Sequence, residues 1–168
     1  MLGRDLEALA VERGVEVVGL DLPEFDLTAG GSACQALRPA DAVVNCAAFT
    51  DVDGAEEQVE AAFAVNARGP GVLGAWCAAN DRRLLHISTD YVFGGETSEP
   101  IAEDRPPHPL NHYGRSKLAG EEAIRQSGCR AQIVRAQALF GLHGRSFVAA
   151  SLQRAGAGTP LRVVNDQF

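Results

Sequence analysis

The sequence predicts an α/β protein built on a doubly wound parallel sheet. Three observations predict it. Short apolar runs that read as strands alternate with longer runs that read as helices along the whole chain. The strand runs show little period-two alternation, as in strands covered on both faces. Glycine and proline fall where helices should stop or start.

Taken in order, Leu6, Leu9, Ala10 and Arg13 mark a short helix that stops at Gly14. Val15–Leu20 reads as a strand closed by Asp21, and a helix over Ser32–Arg38 is closed by Pro39. Ala42–Cys46 is a short apolar strand. Helix is expected from Ala55 to Asn66, and again from Pro70, a residue suited to a first helical turn, to Asn80. Leu84–Ile87 is a strand. Residues 90–110 carry Gly94-Gly95 and Pro106-Pro107-His108-Pro109 and read as a long loop, which inside a compact domain is usually functional. A helix over Asn111–Gln126, a strand over Ala131–Val134, a helix over Ser146–Ala155 and a strand over Leu161–Val164 complete the pattern.

The 168 residues make one domain's worth of chain, long enough to bury a core. The net charge of −7 makes a nucleic-acid backbone an unlikely partner. Residues 1–60 carry 13 acids and 3 bases, and residues 61–168 carry 9 acids and 12 bases, so the second half is mildly basic. That suits a phosphate-bearing small molecule as well as it suits a solvated surface. Cys34, Cys46, Cys77 and Cys129 are not spaced as a metal or redox pair, so no metal site is expected. The first three sit among small apolar residues and read as buried hydrophobes, with reduced thiols and a cytoplasmic setting expected. No run is long and apolar enough to suggest a membrane span or a signal peptide.

In a parallel sheet of this kind ligands sit beyond the carboxyl ends of the strands, which directs attention to Asp21, Asn45–Thr50, Ser88–Tyr91 and the residues from Arg135. Tyr113 and Lys117 stand four apart on an expected helix and point the same way. An ammonium beside a phenol favours the phenolate and lowers its pKa, so the phenol could pass a proton to a developing alkoxide. Alone, Tyr-x-x-x-Lys recurs by chance on amphipathic helices. Thr89 and its neighbours directly follow a strand, where a hydroxyl could polarise a carbonyl, although Ser-Thr-Asp also caps turns. Ala47 and Ala48 would let a flat cofactor approach the backbone, or would simply pack against a helix. Asp21 lies 18 residues after Gly3, near the spacing at which a carboxylate takes the adenine ribose hydroxyls.

Four stretches carry a family resemblance: Val43–Asp53, His86–Phe93, Pro109–Glu121 and Val163–Phe168. Together they resemble the extended short-chain dehydrogenase/reductases, in the branch that reduces nucleotide-linked keto-sugars, with a Rossmann-like domain over residues 1–168 and the start of a substrate lobe near residues 141–168. The resemblance implies Tyr113 as general acid, Lys117 as its partner and a ribose ligand, and Thr89 as the hydroxyl member of the catalytic trio. It implies that Gly3, Asp21, Asp26, Leu27, Ala47, Ala48, Thr50 and Ile87 line the cofactor, with Tyr113 and Lys117. Thr89, Asp90 and the position of Ala138 would meet the sugar. The reaction implied is hydride transfer from NADPH or NADH to a nucleotide-linked 4-keto-6-deoxyhexose, in a protein that could pair as a homodimer.

The pattern departs from the family in three places. Gly3 matches only the tail of its glycine fingerprint, the chain stops inside a family motif at Phe168, and Ala138 stands where the family has a tryptophan. The domain is therefore expected to be incomplete, truncated at both ends, and unstable or inactive by itself. Asp21 tilts the electrostatics toward an unphosphorylated ribose. An epimerase or dehydratase of the same superfamily, or a non-catalytic nucleotide-binding relative, would share much of this pattern.

Overall fold

The computed structural model describes every residue except 38–39, 96–98, 142, 145 and 161–168. The expected strand Leu161–Val164 lies outside the described residues. The described chain forms two compact units. One takes in Met1–Gly19 and the described residues from Ala138 on; the other takes in Leu20 through residue 95 and Ile101–Gln137.

The first unit holds two helices. Helix α1 is Leu2–Glu12 and ends before Gly14, whose φ of 67° is open to glycine without strain. Asp5 on α1 meets His143 Nδ1 at 2.6 Å.

In the second unit, Leu27–Ala36 forms 3-10 turns capped by Asp26, whose carboxylate accepts from the Thr28 amide. The α-helix expected over Ser32–Arg38 is therefore replaced by tighter turns that start earlier, and residues 38–39 lie outside the described set. Gly30, at φ 68°, ψ −146°, separates the turns on either side of it. Strand β1 is Ala42–Asn45. Helices α2 (Gly54–Glu57) and α3 (Val59–Phe63) lead through a π turn, Ala64–Arg68, into α4 (Gly69–Ala79). Two helices were expected here with a break before Pro70; the helical run instead continues into it. Pro70 lacks an amide to donate, and it falls in the first turn of α4 directly after the wide π turn, where one is not needed.

Strand β2 (Arg83–Thr89) leads into a 3-10 turn, Asp90–Val92. The long irregular stretch before residue 111 is held back toward that turn by His108 N, which donates to Val92 O at 2.9 Å. Helix α5 (His112–Gln126) is capped by Asn111, whose side chain accepts from the Gly114 amide at 2.8 Å. Strand β3 is Arg130–Ala136. Completing the first unit, α6 (Phe147–Gly156) is capped by the Ser146 side chain.

The three strands are parallel in the order β1-β2-β3, with Asn45 opposite His86 and Ser88 opposite Arg135. The α/β parallel architecture read from the sequence is the observed one. Alternate side chains of β2 (Leu84, His86, Ser88) are buried on the face packed by α4 and α5. Leu27, Leu73, Cys77, Leu84 and Ile124 form the core there. Val44 and Val134 point to the other face and are nearly half exposed, so β1 is not the doubly covered strand its apolar run suggested.

One expected strand does not form. Val15–Leu20 has no ladder partner among the described residues, and Val15, Val17, Val18 and Leu20 are exposed. An extended segment becomes a strand only when a neighbour takes its amides and carbonyls, and apolar content alone cannot supply one. No helix among the described residues is long and apolar enough to cross a membrane.

Candidate active site

The carboxyl end of β2 is where the sequence motifs converge. Thr89 is its last residue and Asp90 opens the turn beyond it. The Thr89 hydroxyl donates to Asp90 Oδ1 at 3.1 Å and accepts from the Tyr91 amide at 3.3 Å. It is also hydrogen-bonded to the Tyr113 phenol, which comes from the first turn of α5. Tyr91 stacks edge-on against Tyr113, with ring centres 5.5 Å apart. Lys117, one turn further along α5, is 2% exposed, and its Nζ donates to the Ile87 carbonyl at 2.7 Å. Tyr113, Lys117, Thr89, Asp90 and Ile87 thus meet at one strand end.

Burial decides the electrostatics. Removal from water pushes the Tyr113 phenol above its usual pKa, against the hydrogen bond it shares with Thr89. This corrects the sequence expectation of a lowered phenol: burial outweighs the effects that favour the phenolate, and the Lys117 ammonium is engaged by the Ile87 carbonyl. Burial brings Lys117 itself down to about 8, with Glu121 and Cys46 pulling the other way.

Small residues open the cofactor side. Asn45, buried at the end of β1, accepts the Ala47 amide at 3.1 Å and turns the chain away from the sheet. Ala47 and Thr50 are exposed and Ala48 is half-buried. Asn66, fully buried in the π turn, pairs with Phe49 like a strand: its Oδ1 accepts from Phe49 N at 2.9 Å and its Nδ2 donates to Phe49 O at 3.1 Å. The same Nδ2 donates to Ser116 Oγ at 3.0 Å, which donates to Tyr113 O at 2.7 Å. The loop after β1 is thereby tied to the helix that carries Tyr113 and Lys117.

The remaining expected residues lie elsewhere. Asp21 accepts the Leu22 amide at 2.9 Å, and Asp26 accepts from the Thr28 amide and hydroxyl, which holds its carboxyl below the usual range. No described hydrogen bond joins either to Tyr113 or Lys117. The Leu27 side chain packs in the core, 7% exposed and against Gly69. Gly3 and Ala138 belong to the other unit; Ala138 takes a left-handed φ of 47°.

Three residues at the site escaped the sequence reading, Asn66, His86 and Glu121, and the partner of Arg135, a strand-end residue the sequence did point to, was not foreseen. Glu121 is fully buried, one turn beyond Lys117. Its Oε1 accepts from Ser88 Oγ at 2.6 Å and Arg135 Nε at 3.0 Å. Its Oε2 accepts from Arg135 Nη2 at 2.7 Å and Arg125 Nη2 at 2.9 Å. These donors hold the carboxyl below its usual range even though burial works against them. Arg135 also lies over the Phe93 ring at 4.8 Å and donates to Glu103 O at 3.3 Å. The available signals were a polar residue inside the apolar run Ala61–Ala67, and the spacing of Glu121 from Lys117. Lys117 carried a signal of its own, since it is the only lysine in the sequence.

A parallel sheet, a tyrosine–lysine helix and a strand-end threonine together define a Rossmann-like α/β fold of the short-chain dehydrogenase/reductase type. Comparison with known families narrows this: the model of the RmlD substrate binding domain matches residues 1–168, and the chain belongs to that family. The dTDP-4-dehydrorhamnose reductase of Mycobacterium tuberculosis H37Rv is 41% identical over 99% of this chain and 56% of its own length. The enzyme of that name from Mycolicibacterium smegmatis is 42% identical over 99% of this chain and 52% of its own. A crystal structure of dTDP-4-dehydrorhamnose reductase from Bacillus anthracis in complex with NADP superposes with a TM-score of 0.87 at 32% identity, covering 93% of this chain and 56% of that one. The Clostridium acetobutylicum structure gives 0.86 at 35%, with the same coverage. The chain spans about half the length of these relatives.

Proposed function

We propose that this protein is an NAD(P)H-dependent reductase acting on a nucleotide-linked 4-keto-6-deoxy sugar, of the dTDP-4-dehydrorhamnose reductase type, in dTDP-rhamnose biosynthesis. The convergence of Tyr113, Thr89 and Lys117 at the end of β2 carries the reading. The reductases it resembles suggest the sugar class and the reaction, and the relative bound to NADP suggests the cofactor.

The donor set fits a dinucleotide. Lys117 brings a buried ammonium with three N–H groups, and Ala47 and Ala48 leave the backbone after β1 open to a flat ring. Bound there, the cofactor supplies the hydride. Lys117 holds a ribose hydroxyl while remaining anchored to the Ile87 carbonyl. Thr89, whose hydroxyl oxygen is held by the Tyr91 amide, turns its one proton from Asp90 to the substrate carbonyl. Tyr113, buried and therefore kept protonated, gives its phenolic proton to the oxygen that becomes the alcohol. Asp90 takes a sugar hydroxyl. The ring of Tyr91 and the turn after β2 keep water from the carbonyl.

Asp21, Asp26 and Thr50 complete the cofactor side in this reading, and for Gly3 and Ala138 the family resemblance alone implies roles toward the cofactor and the sugar. The protein works in the cytoplasm, where its four free cysteines stay reduced, and pairs as a homodimer. The test is consumption of NADPH by the purified protein with a dTDP-4-keto-6-deoxyhexose. Turnover that releases the oxidised cofactor supports a reductase. Tight retention of NAD through turnover points to an epimerase or dehydratase, and cofactor binding without turnover on any keto-sugar nucleotide points to a binding subunit.

A further inference from the structure

The site contains a buried ion that the reaction does not itself require. Glu121 has no exposed surface, yet four donors surround it, and they come from three different elements: Ser88 on β2, Arg125 on α5 itself and Arg135 on β3, which gives two of the four bonds. A carboxylate is costly to bury, and a simple packing role at this place would be met by an apolar side chain. The position of the charge is informative. Ser88 directly precedes Thr89, and Glu121 follows Lys117 by one helical turn on the same buried face. The bidentate bond to Arg135 fixes the carboxylate plane, and Arg135 is itself pinned by the Phe93 ring and the Glu103 carbonyl of the long loop.

We propose that Glu121 is a positioning residue of this site, a buried anion that fastens α5 to the carboxyl ends of β2 and β3 and supplies the countercharge to Lys117. The inference rests on the reading of Lys117 as the site's lysine. Around that ammonium, α5 contributes Glu121 and Tyr113, β2 contributes the neutral His86, and the loop after β1 contributes the protonated thiol of Cys46. The cation of Arg135 is taken up by Glu121. Asp90, on the turn after β2, faces Thr89 and Tyr113, and Glu121 is the buried anion that acts on the ammonium. Without it, the lysine would sit in an apolar pocket facing an uncompensated guanidinium, and would give up its proton at lower pH.

The sequence offers a direct probe, because isotope-labelled lysine marks a single side chain. In the wild-type protein, nuclear magnetic resonance should show this one ammonium titrating at about 8. In Glu121→Gln the midpoint should fall by roughly one pH unit, as expected for loss of a nearby opposite charge. Glu121→Asp, which keeps the charge, should restore most of it, and Ser88→Ala, which removes only the tie to β2, should leave it in place. If Glu121→Gln does not fold, Glu121→Gln combined with Arg135→Gln removes the ion pair as a unit, and a smaller fall in the same direction is expected. An unmoved or raised midpoint in a folded variant overturns the proposal, as does failure of both variants to fold, which would make Glu121 a stability residue alone. Turnover of the wild-type protein is measured beside the titration. Its absence would defeat the reductase reading, while the titration would still decide the role of Glu121.

Discussion

The ammonium of Lys117 donates a 2.7 Å hydrogen bond to the carbonyl of Ile87 while 2% exposed, so the lone lysine of the sequence is held inside the site by the backbone of the middle strand. Its pKa of about 8 follows from burial, offset in part by Glu121. In the reading of Lys117 as the ribose-holding cation, kcat/KM for NADPH should fall as pH rises through about 8, since that parameter reports the free enzyme. A pH–rate profile flat to above 9.5 on the order of the unperturbed lysine value would separate Lys117 from cofactor capture.

His86 predicts the acid side. It is fully buried, and Asn45 Nδ2 lies 3.0 Å from its Nδ1. Because Asn45 Oδ1 already accepts the Ala47 amide, the amide nitrogen faces the ring and the histidine proton sits on Nε2, which has no partner among the described residues. Burial first, then Lys117, brings the pKa from 6.5 to about 3. Between these values the unfolded chain binds more protons than the folded one, so stability is lost as pH falls through that window. The loss should be on the order of 3 kcal/mol by pH 4. Thermal melts of the wild type against His86→Gln check this; the variant should lose most of that slope.

Much of this was legible in the sequence, and the failures share a cause. The helix carrying Tyr113 and Lys117, its Asn111 cap and the strands from Ala42 on could be read because their signals are local: a cap, a period, an apolar run. The strand over Val15–Leu20 could not be judged, because a strand exists only with its neighbour. Glu121 and Asn66 were missed for the same reason. Each acts through partners 14 to 50 residues away, and nothing in the local sequence of a helical glutamate says that it will meet Ser88 and Arg135.

Gly120 lets α5 pass against the π turn. A Cβ there would meet the backbone carbonyl of Asn66. Since backbone cannot swing aside, Gly120→Ala should destabilise the protein by about 1–3 kcal/mol and displace Lys117 relative to Ile87. Chemical denaturation measures the first effect, and weakened NADPH binding the second.

Asn66→Ala should cost about 1–3 kcal/mol, because it leaves the half-buried Phe49 amide and carbonyl without their Asn66 partners. Hydrogen exchange should show faster exchange at the Phe49 amide, with the core around Leu84 and Ile124 protected as before. Equal loss of protection in both places would contradict the local role assigned to Asn66.

The central claim is that Tyr113 gives its proton to the reduced carbonyl, and Tyr113→Phe tests it most directly. Turnover of a dTDP-4-keto-6-deoxyhexose should fall by roughly 10²–10⁴ while NADPH affinity stays near the wild-type value. Turnover within about twofold of wild type would contradict it and remove the phenol from the chemistry.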